Sequence, residues 1–191
     1  MNQGAARIPE KYEFKDKGVW IFVGIDLAIF ALFFLVFLTE RVATPDVFLA
    51  SQAELNPVYG FINTAVLVTS SWLLVLALKT MVANHRLARR YLTGAILMGL
   101  IFIVSKCFEY YGKISAGITI VDNVFFSFYY ILTFIHLCHV IGGLIALKVV
   151  HGWVGQPVQE GQVAFAESVG IYWHMVDLLW IYLFLLLYLL R

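Results

Sequence analysis

Charged residues and cysteines are both scarce in this chain of 191 residues. Asp, Glu, Lys and Arg make up 13% of it and the net charge is +1, whereas charged residues form about 25% of an average soluble domain. Because the chain has no basic field, we expect no nucleic-acid partner. The two cysteines, Cys107 and Cys138, stand in apolar runs. They predict no disulfide framework, and we expect both to be buried as small apolar side chains.

Apolar residues are abundant instead. They make up 62% of the chain, and the mean hydropathy is +0.87. A chain of this length cannot bury so much apolar surface in a water-soluble core, because small domains leave much of their surface exposed. The sequence therefore predicts an integral membrane protein. Residues 1–17 are polar and contain no apolar core with a cleavage site, so we expect no removable signal peptide.

Five apolar runs are long enough to cross a bilayer as helices, which takes roughly 20 residues. They cover residues 18–38, 58–81, 91–112, 121–149 and 165–190. The four prolines, Pro9, Pro45, Pro57 and Pro157, all lie outside these runs, so no predicted span is interrupted by a residue without an N–H group. We therefore predict an all-α polytopic membrane protein, with a polar N-terminal segment over 1–17 and a five-helix bundle over 18–191.

The distribution of Lys and Arg predicts how this bundle lies in the membrane. Nine of these residues fall on the side that the N-terminus would share, and three, Arg41, Lys113 and Arg191, fall on the other side. Cytoplasmic loops carry the excess of positive charge. We therefore expect a multi-pass protein of the cell membrane with a cytoplasmic N-terminus and an external C-terminus.

Ionisable side chains inside the apolar runs are the candidate functional residues, because burying them in a bilayer is costly. Asp26 lies in the cytoplasmic half of the first run. It could be a proton-active carboxyl or an anchor for a lipid headgroup or partner, or it could simply hydrogen-bond between helices. Lys106, Glu109 and Lys113 share one helix face in the third run. They could form an ion pair with lysines that snorkel outwards, or Glu109 could belong to a buried interhelical network.

Histidines and carboxylates also stand three residues apart in the last two runs. His136 is followed by His139, and His174 by Asp177, after Glu167 at the start of the fifth run. Histidines on two helices could ligate haem or a metal, or they could hydrogen-bond carboxylates across helices. In the second case, an Asp177→Leu substitution would leave a buried histidine without its partner. Two rival functions thus stay open: a small intramembrane haem or metal redox protein, and a small proton carrier.

The fifth run contains the sequence Tyr-Trp-His-Met-Val-Asp-Leu-Leu-Trp over residues 172–180. This segment resembles the terminal-helix signature of subunit III of the haem–copper oxidases. Other segments, in the same order, resemble further helices of that family, and together they cover residues 18–190. They comprise the helix with Asp26, the pair Asn63-Thr64, the pair Glu109-Tyr110, the histidine helix over 136–141, and Glu167 seven residues before His174.

The resemblance implies a non-catalytic accessory subunit that packs beside catalytic subunit I of a complex in the respiratory electron-transport chain. Haem and copper would reside in the partner subunits, and this chain would bind structural phospholipid and support stability and proton uptake. We expect no cofactor or metal in this chain, since the matching histidines are not haem ligands in the family. Asp26 would be the cytoplasmic-side carboxyl near lipid or partner. The other candidates would form one buried polar network joining the third, fourth and fifth helices: Glu109, His136, His139, Glu167, His174 and Asp177.

Three short segments resemble one branch of this family in particular. Glu40-Arg41, Ser51-Gln52 and Leu55-Asn56 are similar to the short five-helix proteins associated with nitric oxide reductase, the NorE-like branch. We therefore expect the partner to be catalytic subunit I, with its companion subunits, of either a cytochrome c or quinol oxidase or a nitric oxide reductase.

Overall fold

The computed structural model describes residues 17–156 and 160–190. All regular structure in these residues is helical. The helices are α1 (Lys17–Ala43), α2 (Pro45–Ala53), α3 (Pro57–Thr80), α4 (His85–Ser115), α5 (Val124–Trp153) and α6 (Glu160–Phe184), which continues as a π-helix over Leu185–Leu189. Five of them are long and apolar enough to span a membrane. The predicted all-α fold with five helices of spanning length is therefore confirmed, whereas the polar segment 1–17 lies outside the described residues except for the backbone of Lys17.

Four of the spanning helices, all except α3, extend several residues beyond at least one end of the apolar run that predicted them. α4 begins at His85, before the predicted start at residue 91, and its first turns carry Arg86, Arg89 and Arg90. Charged side chains are tolerated at the ends of a spanning helix because they can reach the membrane surface. An apolar run therefore marks the length inside the membrane and not the whole helix.

A short helix that the apolar pattern does not predict lies between α1 and α3. α2 has nine residues and carries Asp46 in its first turn, where acidic side chains are favoured. Its Phe48 is fully buried, with ring centroids 5.1 Å from Phe37 on α1 and 5.5 Å from Phe125 on α5. α2 therefore closes one end of the bundle by packing across α1 and α5.

Asparagine side chains determine where three of the spanning helices begin. Asn56, Asn84 and Asn123 directly precede α3, α4 and α5, and each side-chain oxygen accepts a hydrogen bond from a backbone N–H of the first turn. These N–H groups have no partner within the helix. The asparagine caps supply the missing acceptors and so stabilise the three helix starts.

The prolines mark helix starts as well. Pro45 and Pro57 are the first residues of α2 and α3. Proline is favoured there because the first N–H of a helix has no partner within it. Pro9 and Pro157 lie outside the described residues.

Small residues allow the last helices to pack closely. α6 packs against α1, α3 and α5, while α4 packs against α3 and α5. A Cβ atom at Gly143 on α5 would lie 2.6 Å from Cε3 of Trp173 on α6, and one at Gly99 on α4 would lie 2.7 Å from a methyl carbon of Leu144. Trp173 is fully buried. These two glycines therefore allow the close spacing of α4, α5 and α6, as small residues do in membrane bundles.

Both cysteines lie on the outer surface, so the expectation that they are buried is wrong. In a membrane bundle the lipid tails are as apolar as a leucine side chain. Apolar residues therefore occupy the outward positions of a spanning helix as well as the inward ones. Cys107 on α4 and Cys138 on α5 are two such outward positions.

Candidate functional site

Asp26 on α1 and His139 on α5 form one group of polar side chains inside the bundle. Oδ1 of Asp26 lies 3.1 Å from Nε2 of His139. Asp26 is buried, and the ring of Phe30, one turn further along α1, packs edge-on against the imidazole with centroids 5.6 Å apart. The contact connects α1 to α5, which fits the interhelical hydrogen-bonding alternative for Asp26.

The second ring nitrogen of His139 determines how many protons this pair holds. Nδ1 lies 2.8 Å from the backbone oxygen of Ile135, which can only accept, so Nδ1 carries a proton. A second proton is needed between Nε2 and the Asp26 carboxyl, since neither a bare ring nitrogen nor a carboxylate can donate. It sits either on Nε2, which gives an ion pair, or on Asp26, which gives a neutral pair. In both cases the two side chains share one proton.

A buried ion pair on α4 forms the second group. Nζ of Lys106 lies 2.9 Å from Oε2 of Glu109, and the two side chains are 1% and 7% exposed. Tyr129 of α5 donates to Oε1 of Glu109 at 2.8 Å, and Tyr188 of the π-helix donates to the same oxygen at 2.5 Å. These four residues, the Lys106 cluster, surround both charges with hydrogen-bonding partners, as a buried charge requires.

Of the two alternatives for this face, the structure shows the ion pair of Lys106 with Glu109, but Lys106 does not snorkel outwards. Glu109 also accepts hydrogen bonds from two other helices, as the alternative of a buried interhelical network has it. Four aromatic rings surround its ammonium group at 4.9–5.9 Å from their centroids, which adds cation–π attraction. The rings belong to Tyr110, Tyr129, Trp180 and Tyr188. Lys113 lies outside this cluster, and its ammonium group donates to the backbone oxygen of Glu54, just after α2.

Gln52 of α2 holds the π-helix in place. Its amide nitrogen donates to the backbone oxygens of Leu186 and Leu187 at 3.0 and 3.2 Å, and its side-chain oxygen accepts from Arg41 at 3.0 Å. The last carbonyl groups of a helix have no partner within it, so Gln52 supplies the missing donors. Tyr188 follows directly, and the contact therefore helps to keep its hydroxyl in the Lys106 cluster.

His136 belongs to neither group. It is fully buried, with ring centroids 5.7 Å from Phe102 on α4 and 5.3 Å from Trp180 on α6. Neither of its ring nitrogens has a hydrogen-bond partner among the described residues. Residues three apart on a helix point about 60° away from each other. This rotation explains why His139 reaches α1 while His136 packs against α4 and α6.

The candidates on α6 lie apart from the Lys106 cluster as well. Nδ1 of His174 lies 2.6 Å from the hydroxyl oxygen of Ser71 on α3. Both carboxyl oxygens of Asp177 are buried without a partner in the part of the chain that the structure describes, and Glu167 is exposed. The candidates therefore lie in separate contacts, and of these residues Glu109 is the one that joins α4 to α5 and to the π-helix, through Tyr129 and Tyr188.

Three residues outside the predicted set complete the observed groups: Gln52, Tyr129 and Tyr188. Tyr129 and Tyr188 each place a hydroxyl within an apolar run, which is the signal that could have found them, whereas Gln52 lies between the first two runs. Their partners lie on other helices, however, and the spacing along one helix does not reveal those partners.

The histidines do not converge on one point. No group of three or more His, Cys, Asp and Glu side chains in residues 17–156 and 160–190 could hold a metal ion. His139 contacts α1, His136 packs among aromatic rings, and His174 contacts α3. This geometry gives no support to the rival function as a metal or haem protein. The chemistry that the groups do offer is the holding of one proton between Asp26 and His139.

Comparison with known proteins identifies the family. The family profile described as cytochrome c oxidase subunit III matches residues 11–191. A cytochrome c oxidase subunit 3 from Corynebacterium diphtheriae is 32% identical over 178 residues, which cover 90% of this chain and 85% of that protein. The cytochrome c oxidase subunit 3 of Synechocystis is 31% identical over 176 residues, which cover 91% of this chain and 74% of that protein.

A third relative is a longer protein. The heme-copper oxidase subunit I+III of Aeropyrum pernix is 31% identical over 192 aligned positions, which cover 92% of this chain and 23% of that protein. These names agree with the family that the terminal-helix signature indicated, but they give no support to its NorE-like branch. The chain belongs to the cytochrome c oxidase subunit III family, whose members are non-catalytic accessory subunits of haem–copper oxidases.

Proposed function

We propose that this chain binds catalytic subunit I of a cytochrome c oxidase, together with its companion subunits, in the cell membrane. The relative from Aeropyrum pernix supports this, because its name joins subunits I and III in one protein. The outer surface of the chain supports it too. Ile25, Leu32 and Phe108 are 57%, 64% and 70% exposed, and such apolar surface needs lipid or a partner subunit to cover it. In this proposal, haem and copper reside in the partner subunits.

The orientation proposed from the charge distribution puts Asp26 on the side from which protons enter the membrane. The excess of Lys and Arg favours a cytoplasmic N-terminus. Asp26 lies in the third turn of α1, and so in the cytoplasmic half of the bundle. It could thus exchange a proton with the cytoplasmic side over a short distance.

The single observation that carries a role in proton uptake is the 3.1 Å contact between the Asp26 carboxyl and the His139 imidazole, a pair that can hold one proton between its two side chains. The pair is largely buried, and its side chains are 12% and 19% exposed. It can give this proton to an acceptor in the partner subunit and then regain it from the cytoplasmic side. The chain would thereby support proton uptake by the oxidase during turnover without catalysing any step itself.

A groove between α1, α5 and α6 is the proposed site for structural phospholipid. Its volume is about 690 Å³, and its lining includes Phe22 of α1, Ala146 of α5, and Phe165 and Tyr172 of α6. The groove reaches Gly18, at the end of α1 that the proposed orientation puts near the cytoplasm. An acyl chain would lie along the apolar wall, and the headgroup would lie near Gly18.

An Asp26→Asn substitution in the assembled oxidase tests the proton-uptake role. The amide keeps the size of the carboxyl group but cannot take up the shared proton. We expect the same amount of subunit I, with slower proton uptake from the cytoplasmic side and faster loss of activity during sustained turnover. The matched control is Cys138→Ala, an outward position next to His139. Equal rates of activity loss in both variants would contradict the proposal.

The partner complex is tested separately, by identifying which subunits co-purify with this chain. The resemblance to the NorE-like branch also favoured a nitric oxide reductase. Recovery of nitric oxide reductase subunits would assign the chain to that complex, whereas recovery of cytochrome c oxidase subunits supports the present proposal.

A further inference from the structure

The outer face of α6 differs in polarity from the outer faces of the other spanning helices. His174 is exposed midway along the Gly161–Leu189 span, and Glu167 is exposed two turns before it. Elsewhere in the described spans, exposed Lys, Arg, Asp, Glu and His side chains lie near helix ends, as Lys79 and Lys148 do. Long side chains near an end reach the membrane surface. The short imidazole of His174 cannot do so from the middle of the span.

Six of the exposed residues of α6 and the π-helix form one stripe, whereas Gly161 and Phe165, near the start of α6, are exposed but lie outside it. The six follow one another at intervals of three, four or seven residues, which puts them on one helix face. This α6 stripe consists of Glu167, His174, Leu178, Tyr182, Leu185 and Leu189. The two ionisable groups therefore share a surface with four large side chains.

The α6 stripe is bordered by α1 and α3. The ring centroid of Tyr182 lies 6.1 Å from that of Phe34 on α1, and His174 is hydrogen-bonded to Ser71 on α3. A helix from another protein that lies along this stripe would contact α6 with its centre and α1 and α3 with its sides.

Lipid tails cannot satisfy the polar groups of this stripe. Nδ1 of His174 contacts Ser71, whereas Nε2 has no hydrogen-bond partner among the described residues. Glu167 forms no ion pair in that part of the chain. Hydrocarbon offers no hydrogen bonds, so leaving these groups against lipid is costly. Polar side chains in spanning helices almost always face protein or a water-filled cavity.

We propose that the α6 stripe is the surface that docks catalytic subunit I. A membrane helix of that subunit presents a hydrogen-bonding side chain to Nε2 of His174 and a basic side chain near Glu167. Tyr182 and the leucines of the stripe supply the aromatic and apolar contact around these polar pairs. The inference rests on the proposed function as an accessory subunit, and it adds which face of the chain makes the contact.

Photo-crosslinking in membranes that contain the whole complex tests the surface. In one variant a benzophenone amino acid replaces Leu178 of the α6 stripe, a residue that is 44% exposed. In two control variants it replaces Leu32 on α1 or Phe134 on α5, which are 64% and 58% exposed. We expect a crosslink to subunit I from position 178 and none from positions 32 and 134. A crosslink to subunit I from position 32 or 134 alone, or only lipid crosslinks from position 178, would overturn the docking surface. If subunit I is absent from the purified complex as well, the proposed function fails too.

A pair of substitutions tests the role of His174 itself. His174→Ala removes both ring nitrogens, whereas Ser71→Ala removes the same internal hydrogen bond and leaves Nε2 for the partner. We expect His174→Ala to lower the affinity for subunit I about three- to twentyfold, as for one intramembrane hydrogen bond. Ser71→Ala should retain the wild-type amount of subunit I. Equal retention in both variants would show that Nε2 does not contact the partner.

Discussion

Replacing Glu109 by Leu should destabilise the bundle strongly, because it leaves the charge of Lys106 buried without its partner. The Lys106 side chain is 1% exposed, so water cannot replace the lost carboxylate. Removing one partner of a buried ion pair costs about 3–5 kcal/mol. Tyr129 and Tyr188 also lose their acceptor, at about 1 kcal/mol each, which gives a total of about 5–7 kcal/mol.

The double substitution Lys106→Met with Glu109→Leu separates the stranded charge from the other losses. It removes both charges, and apolar replacement of a whole buried ion pair is often neutral. The remaining cost is that of the two tyrosine hydroxyls, about 2 kcal/mol. The double variant should therefore be more stable than Glu109→Leu alone, although it carries one more substitution.

Thermal unfolding in detergent-solubilised membranes measures this difference. We expect the midpoint to fall by roughly 10 °C or more for Glu109→Leu and by roughly 4–8 °C for the double variant. Cys107→Ala, an exposed position on the same helix, serves as the control and should leave the midpoint unchanged. If the double variant unfolds at the same temperature as the single one, a stranded charge is not what destabilises the bundle.

Three further predictions concern packing and hydrogen bonding. Gly143→Ala should lower the free energy of unfolding by about 1–3 kcal/mol through overpacking, because the added Cβ would lie 2.6 Å from Trp173. The control Gly142→Ala, whose added Cβ would have its nearest atom at 3.6 Å, should leave thermal stability unchanged. Gln52→Leu should lower the free energy of unfolding by about 1–3 kcal/mol and speed amide hydrogen exchange in the π-helix, because two carbonyl groups lose their donor. An unchanged exchange rate in the π-helix would contradict the capping role. Asp177→Leu should retain or raise thermal stability, opposite to the expectation from the sequence, because its carboxyl oxygens have no partner among the described residues; a loss of stability would reveal a partner for Asp177.

The five spanning helices could be predicted because the physical requirement is simple. A helix across a bilayer needs roughly 20 apolar residues, and the sequence contains five such runs. The ends of the helices are harder to predict, because turns at the membrane surface tolerate charge. The arginine-rich start of α4 was missed for this reason.

Contacts within one helix were easier to predict than contacts between helices. Lys106 and Glu109 are three residues apart, and their ion pair follows from helix geometry. Asp26 and His139 are 113 residues apart, and their contact depends on how α1 lies against α5. Hydropathy does not specify that arrangement, because the outward and inward faces of a spanning helix are both apolar. The outward positions of the cysteines were misjudged for the same reason.

α2 and the π-helix illustrate a second limit. Pro45 and Asp46 form a helix-start signal, which could have identified α2 despite its short length. No local signal marked the π-helix, whose end is held by Gln52 from a distant part of the chain. Tertiary contacts therefore decide the geometry at this end of the bundle.

Purification of the tagged chain in mild detergent, with identification of the co-purifying subunits, tests the central claim most directly. The account predicts that subunit I of a cytochrome c oxidase is recovered in equal amount with this chain, together with its haem spectrum. Recovery of this chain alone and without colour, from membranes in which the oxidase is present, would contradict its role as an accessory subunit.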